Sequence, residues 1–454
     1  MNPKLLTAES IVDTEPDEAL RLCNDALNEN FFDGQALFMA GYIMMKAERF
    51  GLAYNLYERC AQIKPDQAEI YNNMGMCCEY DHPDYAAECF AKALALDPSY
   101  TRAMINRGLM YLKSGQPEKC VKLCTEALRI DPQSIAAHDN RAQAYLMLRE
   151  WRKGWEDYQY SLGGDHRTKR GYGVPDWDFT PGKRVVVYGE QGIGDEILFA
   201  SCIPDLQKDC EVIIDCDKRL KNVFERSFGC KVYGTRFAKE SPLVDEQTFD
   251  ASCSIGDLPR VYRNKHAEFP GGAYLTPDPE RCLQWRTLFD TYPGLKIGIA
   301  WTGGLKNTDK KLRSFELDTF APLCDLGHTF ISLEYLEPNP EELAKYGIKH
   351  FGRAVNKGVD YDDTLALINE LDLVICVTTT AVHAAGALGK ECWALVPEFP
   401  SFRFHLSGDM PWHKSVKLIR QAKNESWADV IGRVKTALIK RESAQPYPKC
   451  ASFE

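Results

Sequence analysis

The chain lacks several features that would assign it to a functional class at once. No long Lys/Arg stripe appears, and the formal net charge is −10, so a nucleic-acid backbone is excluded as a main partner. No run approaches 18 consecutive apolar residues, which leaves no candidate membrane span. The opening residues, MNPKLLTAESIVDTEPDEAL, have neither an apolar core segment nor a cleavage site, and the expectation is a cytoplasmic location. There is no CxxC pair, although cysteine itself is plentiful at 17 residues. Cys60, Cys89 and Cys124 fall in apolar helical registers, where a free thiol acts as a small buried hydrophobe. Nor does a DxD motif stand at a suitable strand end, so no metal site is expected.

With 454 residues, 44% hydrophobic and 26% charged, the chain is a globular protein of two or three domains. Its first third is periodic. Pro65, Pro98 and Pro132 lie 33 and 34 residues apart, and Gly41, Gly75, Gly108 and Ala142 step by 34, 33 and 34. Ala53, Ala86 and Cys120 precede Tyr57, Phe90 and Cys124 by four. Small residues at these places let two helices of a hairpin approach, the larger residue fills the gap, and proline stops the second helix. The pattern resembles the tetratricopeptide (TPR) consensus, with repeats over 34–66, 67–99 and 100–133. Residues 1–33 read as a preceding degenerate helix pair, and Ser134–Ser161, with Trp151 and Trp155, as a further pair.

Asn73, Asn106 and Asn140 recur at 33 and 34 residues, each two before the Gly/Ala mark. At that point of the first helix they are expected to line the concave groove, where carboxamides bind a peptide backbone of any sequence. Met39 stands where the series would continue in the first repeat. The series resembles the asparagine ladder of the TPR region of O-linked N-acetylglucosamine transferase, which implies an extended polypeptide ligand. An exposed helix face that merely tolerates asparagine is the plainer alternative.

Helical periodicity stops in a linker at 163–183. Beyond it short apolar runs alternate with helical stretches, the pattern of parallel sheets. Strands are expected at Arg184–Tyr188, Glu211–Asp215, Cys230–Tyr233, Ile297–Trp301, Thr329–Leu333, Lys349–Gly352, Leu373–Val377, Cys392–Val396 and Lys417–Ile419, with a last helix at Glu425–Arg441. Prolines 277, 279 and 293 divide the set. The expected plan is a TPR solenoid (1–162), the linker, and two Rossmann-like domains (184–290 and 291–454) facing a cleft in a GT-B-like pair.

Three segments carry candidate chemistry. In VVVYGEQGIGDEILFA, Gly192 and Gly194 let a ligand approach the backbone at a helix start, and Asp195 is placed as N-cap or general base. In KIGIAWTGGLKNTDKKLRSF, Lys306, Lys310 and Arg313 suit a diphosphate, though such loops are also often simply solvated. In LDLVICVTTTAVHAAGALG, Thr378, Thr379 and Thr380 end a buried strand and open a helix that carries His383. Hydroxyls and N–H groups there form an anion site at the carboxyl end of a strand. Glu334, Phe399, Phe402 and Trp412 are weaker candidates for ribose or base contacts.

Together these motifs, with MPWHKSVKLIRQ, resemble TPR-containing glycosyltransferases related to the lipopolysaccharide heptosyltransferases (glycosyltransferase family nine) over roughly Trp177–Gln421. The resemblance implies an inverting, metal-independent transfer with no cofactor beyond a nucleotide-sugar donor. Asp195 would be the base, and Lys306–Arg313, Thr379, Thr380 and His383 would contact the donor phosphates. The acceptor would be a polypeptide or glycan recruited by the TPR groove. The family usually has Asp-Thr where this chain has Thr378-Thr379, so one carboxylate is missing from the donor side. A non-catalytic TPR adaptor with a degenerate transferase domain, or a sugar-nucleotide epimerase of the same shape, are the rival readings.

Overall fold

The computed structural model describes residues 2–164, 166–238, 241–243, 248–304, 310–355 and 360–444. The chain forms two compact units that divide between Leu148 and Arg149, ahead of the 162 boundary expected from sequence. None of the described helices is long and apolar enough to cross a membrane. No disulfide joins the described cysteines, most of which are buried.

The first unit is a solenoid of helical hairpins: α1 (Pro3–Ile11) with α2 (Pro16–Glu29), α3 (Gly34–Lys46) with α4 (Phe50–Ile63), and α5 (Ala68–Cys78) with α6 (Pro83–Leu96). It continues through α7 (Thr101–Lys113), α8 (Pro117–Ile130) and α9 (Ile135–Met147). Prolines 65, 98 and 132 follow the ends of α4, α6 and α8, as expected of residues that cannot continue a helix. Proline also opens α2, α6 and α8, where its missing N–H costs nothing. Asp33 caps α3 by accepting from the amides of Gln35 and Ala36. The core is built where small residues meet large ones: Tyr57, Phe90, Cys120 and Cys124 are fully buried. A Cβ on Gly75 would lie 2.6 Å from the Phe90 ring, so helix α5 can sit this close to α6 only with glycine there.

The second unit begins with α10 (Trp151–Tyr158). The expected last helix pair of the array is therefore divided between the units. Trp155 is buried in an aromatic cluster with Phe199, Phe402 and Trp412, and its Nε1 donates to the Arg263 carbonyl at 2.9 Å. The aromatics Phe402 and Trp412 are thus core residues.

Two parallel sheets follow. The first comprises β1 (Arg184–Tyr188), β2 (Glu211–Asp215), β3 (Lys231–Tyr233) and β4 (Ala251–Ser254), in the order β3-β2-β1-β4. The second comprises β5 (Lys296–Ala300), β6 (Thr329–Ser332), β7 (Lys349–His350), β8 (Leu373–Val377), β9 (Cys392–Val396) and β10 (Val416–Arg420). Its order is β10-β9-β8-β5-β6-β7. β8 and β9 are buried along their whole length, which explains their unbroken apolar sequences. The Trp427–Ala444 helix lays Val430, Ile431, Val434 and Leu438 into the same core as Ile297, Leu373 and Leu395. The proline-marked break between the two sheets itself holds a helix, Pro279–Phe289, capped by Asp278.

Substituting Gly75→Ala should overpack the α5–α6 contact and destabilise the solenoid by about 1–3 kcal/mol. A thermal melt of the full chain measures it, with Gly51→Ala, where an added Cβ meets nothing within 4 Å, as the control.

Candidate functional site

Each sheet has one place where the strand order reverses. In the first it lies between β1 and β4, in the second between β5 and β8. Chains leave such strands in opposite directions and open a crevice at the carboxyl ends, where open α/β sheets bind ligands. All three sequence motifs fall at these points.

At the first reversal, β1 runs into Gly189–Gly192 and then helix α11 (Ile193–Ala200). Gly192 is the N-cap, so Asp195 is not; it stands in the first turn of the helix. Glu190, fully buried, accepts from the Gly256 amide at 3.2 Å and pairs with Arg167 at 3.2 Å. Arg167 also donates to Asp257 and Ser254, each at 2.7 Å, and to the Tyr158 carbonyl at 2.6 Å. One buried guanidinium thus ties the loop to the exit of β4 and to α10. Burial raises the Glu190 pKa against the pull of Arg167. Glu196, next to Asp195, is held by Arg236 and by the Asp217 amide at 2.9 Å, yet burial still pushes its carboxyl up to about 7.

Asp195 itself reaches across to the other sheet. Arg403 Nε donates to its Oδ1 at 2.6 Å, and Nη2 lies 2.5 Å from the same oxygen. The two side chains are 21% and 20% exposed, so the pair is partly open to solvent. Arg403 also donates to Gln191 Oε1 at 3.4 Å, and Gln191 donates to the Tyr158 hydroxyl at 2.7 Å.

At the second reversal, Arg313 Nη1 donates to the Thr378 carbonyl at 3.1 Å, which joins the loop after β5 to the end of β8. Glu334 accepts from the Trp301 and Thr302 amides at 2.7 and 2.8 Å with one oxygen. It therefore fastens the start of that loop, and burial raises its pKa. Lys310 is exposed, whereas Lys306 lies outside the described residues. Thr379 caps the Thr380–Ala387 helix, accepting from the Ala381 amide at 3.3 Å. The Thr378 hydroxyl is buried with no hydrogen-bond partner among the described residues.

The same helix carries His383, 5% exposed, stacked on Phe404 at 5.7 Å and lying 5.7 Å from the His413 ring. His383 Nδ1 and both His413 nitrogens have no hydrogen-bond partner among the described residues. Helix α11 packs against this helix. A Cβ on Gly194 would come within 3.0 Å of Thr380 Oγ1, so glycine sets the closeness of the two helix starts. The fold thus gathers Asp195, Gly194, Thr378, Thr379, Thr380, His383 and Arg313. It adds Arg403, Glu196 and His413, which sequence reading passed over because nothing periodic marks them. Among the described residues no group of three or more His, Cys, Asp or Glu side chains is arranged to hold a metal ion.

The asparagine series lies on α5, α7 and α9, the first helices of their hairpins. Asn73 and Asn140 are only 8% and 7% exposed. Asn73 donates to the Tyr57 hydroxyl at 3.2 Å, Asn106 to Asn72 Oδ1 at 2.9 Å, and Asn140 to the Ile105 carbonyl at 3.1 Å. Their amides pin neighbouring helices of the array together, because a buried polar group must find a partner.

Residues 101–134 match the tetratricopeptide repeat family model. The chain is 28% identical over 404 residues to Protein FlbA of Caulobacter vibrioides, a match covering 82% of this chain and 67% of that protein. It is 26% identical over 109 residues to the tetratricopeptide repeat-containing protein trd-1 of Caenorhabditis elegans, covering 24% of this chain and 14% of that one. Among solved structures, YrrB, a TPR protein with an unusual peptide-binding site, aligns at 17% identity and a TM-score of 0.31, covering 36% of this chain and 84% of that chain. The first unit is a TPR-like helical solenoid.

Burial pushes His383 down to about 3, with the Arg403 charge adding to it, and His413 well below the ordinary histidine range. An unfolded histidine protonates near pH 6.5. Between those limits the unfolded chain takes up protons that the native chain refuses. The stability contribution of His383 is therefore full above about pH 6.5 and falls as pH drops toward 3, by roughly 2 kcal/mol at pH 5, and His413 acts in the same direction. Urea unfolding at pH 7 and pH 5 measures the loss, and His383→Asn should remove its share of the slope.

Proposed function

We propose that the second unit is a GT-B-like pair of Rossmann-like domains and that the protein is an inverting, metal-independent glycosyltransferase using a nucleotide-sugar donor. The observation that carries this reading is the meeting of the two strand-order reversals. A helix start bearing a carboxylate, Asp195, packs at Gly194 against a helix start bearing three threonines and a buried histidine. One side offers a base and the other an anion cradle.

In this mechanism Asp195 takes the proton of an acceptor hydroxyl, whose oxygen attacks the anomeric carbon. The new C–O bond forms as the bond to the nucleoside diphosphate breaks, and the diphosphate leaves with the electron pair. Backbone N–H groups at the start of the Thr380–Ala387 helix and the Thr378 hydroxyl are suited to the leaving oxygens. Arg313 and the neighbouring Lys310 supply positive charge at the same strand ends. His383, kept neutral by burial, is suited to hydrogen bonding rather than to charge neutralisation. The TPR array recruits a polypeptide acceptor or a partner that presents a glycan, in a cytoplasmic setting.

A second reading, a TPR adaptor whose transferase-like unit no longer turns over, draws support from two features. Asp195 is engaged by Arg403, and Thr378 stands where the resembling family has a carboxylate. Incubation of the full chain with a panel of nucleotide sugars, following nucleoside diphosphate release, separates the readings. The transferase reading expects release that falls by about 10²–10⁴-fold in Asp195→Asn, the usual worth of a general base. Binding without turnover in the wild type would favour the adaptor.

A further inference from the structure

The arginines of the second unit differ in how they are held. Arg167 and Arg263 are almost wholly buried, and each is fixed by backbone carbonyls as well as carboxylates. Arg420 donates to the carbonyls of Phe404, His405 and Gly408. These side chains are structural pins. Arg403 is partly exposed, and among its contacts are hydrogen bonds to the side chains of Asp195 and Gln191, which can rearrange without moving the backbone.

Its position is also particular. Asp195 belongs to the helix after β1, whereas Arg403 follows β9, so the ion pair spans the crevice between the sheets. Asp195 follows Gly194, where an added Cβ would lie 3.0 Å from Thr380 Oγ1, so the Arg403–Asp195 pair stands beside the helix start that opens at Thr380. Buried, unpartnered groups mark that start as polar beyond its own needs: the Thr378 hydroxyl and His383 Nδ1.

We propose that Arg403 is a shared cation, bound to Asp195 in this structure and transferred to the phosphates of a bound diphosphate ligand, and that this transfer frees Asp195 to act as a base. The inference rests on the glycosyltransferase reading and deepens it. With its two side chains 20% and 21% exposed, the pair is open enough for Arg403 to exchange partners without stranding a charge in the core. A diphosphate offers the planar guanidinium several charged oxygens in bidentate geometry and competes well for it. The consequence is an order of events: the carboxylate is neutralised by Arg403 until the donor arrives, and an acceptor hydroxyl is deprotonated only beside a bound diphosphate. Arg403 is thus a positioning residue for the base as well as a ligand contact.

The competition has a thermodynamic signature, read by calorimetric titration of the full chain with inorganic pyrophosphate and with uridine, guanosine, cytidine and adenosine diphosphates. Asp195→Asn, which releases Arg403, should tighten binding about fivefold or more, and Arg403→Gln should weaken it about tenfold, the scale of one charge-assisted contact. In the Arg403→Gln background, Asp195→Asn should lose its tightening effect. Arg403→Lys, which keeps the charge but not the planar fork, should fall between wild type and Arg403→Gln; it replaces that variant should Arg403→Gln fail to fold. Equal tightening by Asp195→Asn in both backgrounds would mean simple charge repulsion and overturn the inference, as would unchanged affinity in Arg403→Gln. Absence of binding of every one of these anions to both wild type and Asp195→Asn would instead overturn the glycosyltransferase reading, and this inference with it.

Discussion

The approach of Gly194 to Thr380 is the contact on which the arrangement of the second unit turns. It lets the first turns of two helices, each issuing from the middle of a parallel sheet, come close enough to share one crevice. Any side chain larger than hydrogen at Gly194 meets the Thr380 hydroxyl. On either side of this contact the loops are braced from behind. Arg167 and Glu190 tie the β1 loop to the β4 exit and to α10, and Glu334 holds the backbone leaving β5. Loops fixed by buried charged groups are costly to build and hard to displace, which suits residues that must stay in place while a ligand comes and goes.

Electrostatics separates the braces from the working groups. Glu190, Glu196 and Glu334 are buried, and in each case burial outweighs the neighbouring donors and raises the pKa. Asp195 stands apart in its surroundings: it is partly exposed, in the first turn of a helix, and pairs with Arg403 from the segment after β9. Of these four carboxylates, it is the one whose partner can exchange with a ligand without leaving a charge stranded in the core.

Much of this architecture was legible in the sequence. Strands β1, β2, β8 and β9 coincide residue for residue with the expected runs, because β-branched and apolar residues fill both faces of a buried parallel strand. The proline and glycine spacing located the three hairpins α3–α4, α5–α6 and α7–α8, which fall within 34–66, 67–99 and 100–133. Strand β4, Ala251–Ser254, escaped notice because its residues are small and polar, and the charge network around Arg167, not side-chain volume, holds its exit. The asparagine series was found at its true spacing; from sequence nothing tells whether such a carboxamide also bridges two helices. Arg403 escaped for a simpler reason. It pairs with a residue 208 positions away, and no periodicity records such a contact.

The account's central claim is that the carboxyl ends of the two sheets form one ligand site. Hydrogen exchange of the full chain, with and without a saturating nucleoside diphosphate, tests it most directly. Simultaneous protection of the amides in 189–196 and in 378–384 is the result expected of a single site with two walls. Protection of one segment alone, or of neither when the ligand is demonstrably bound, would contradict it.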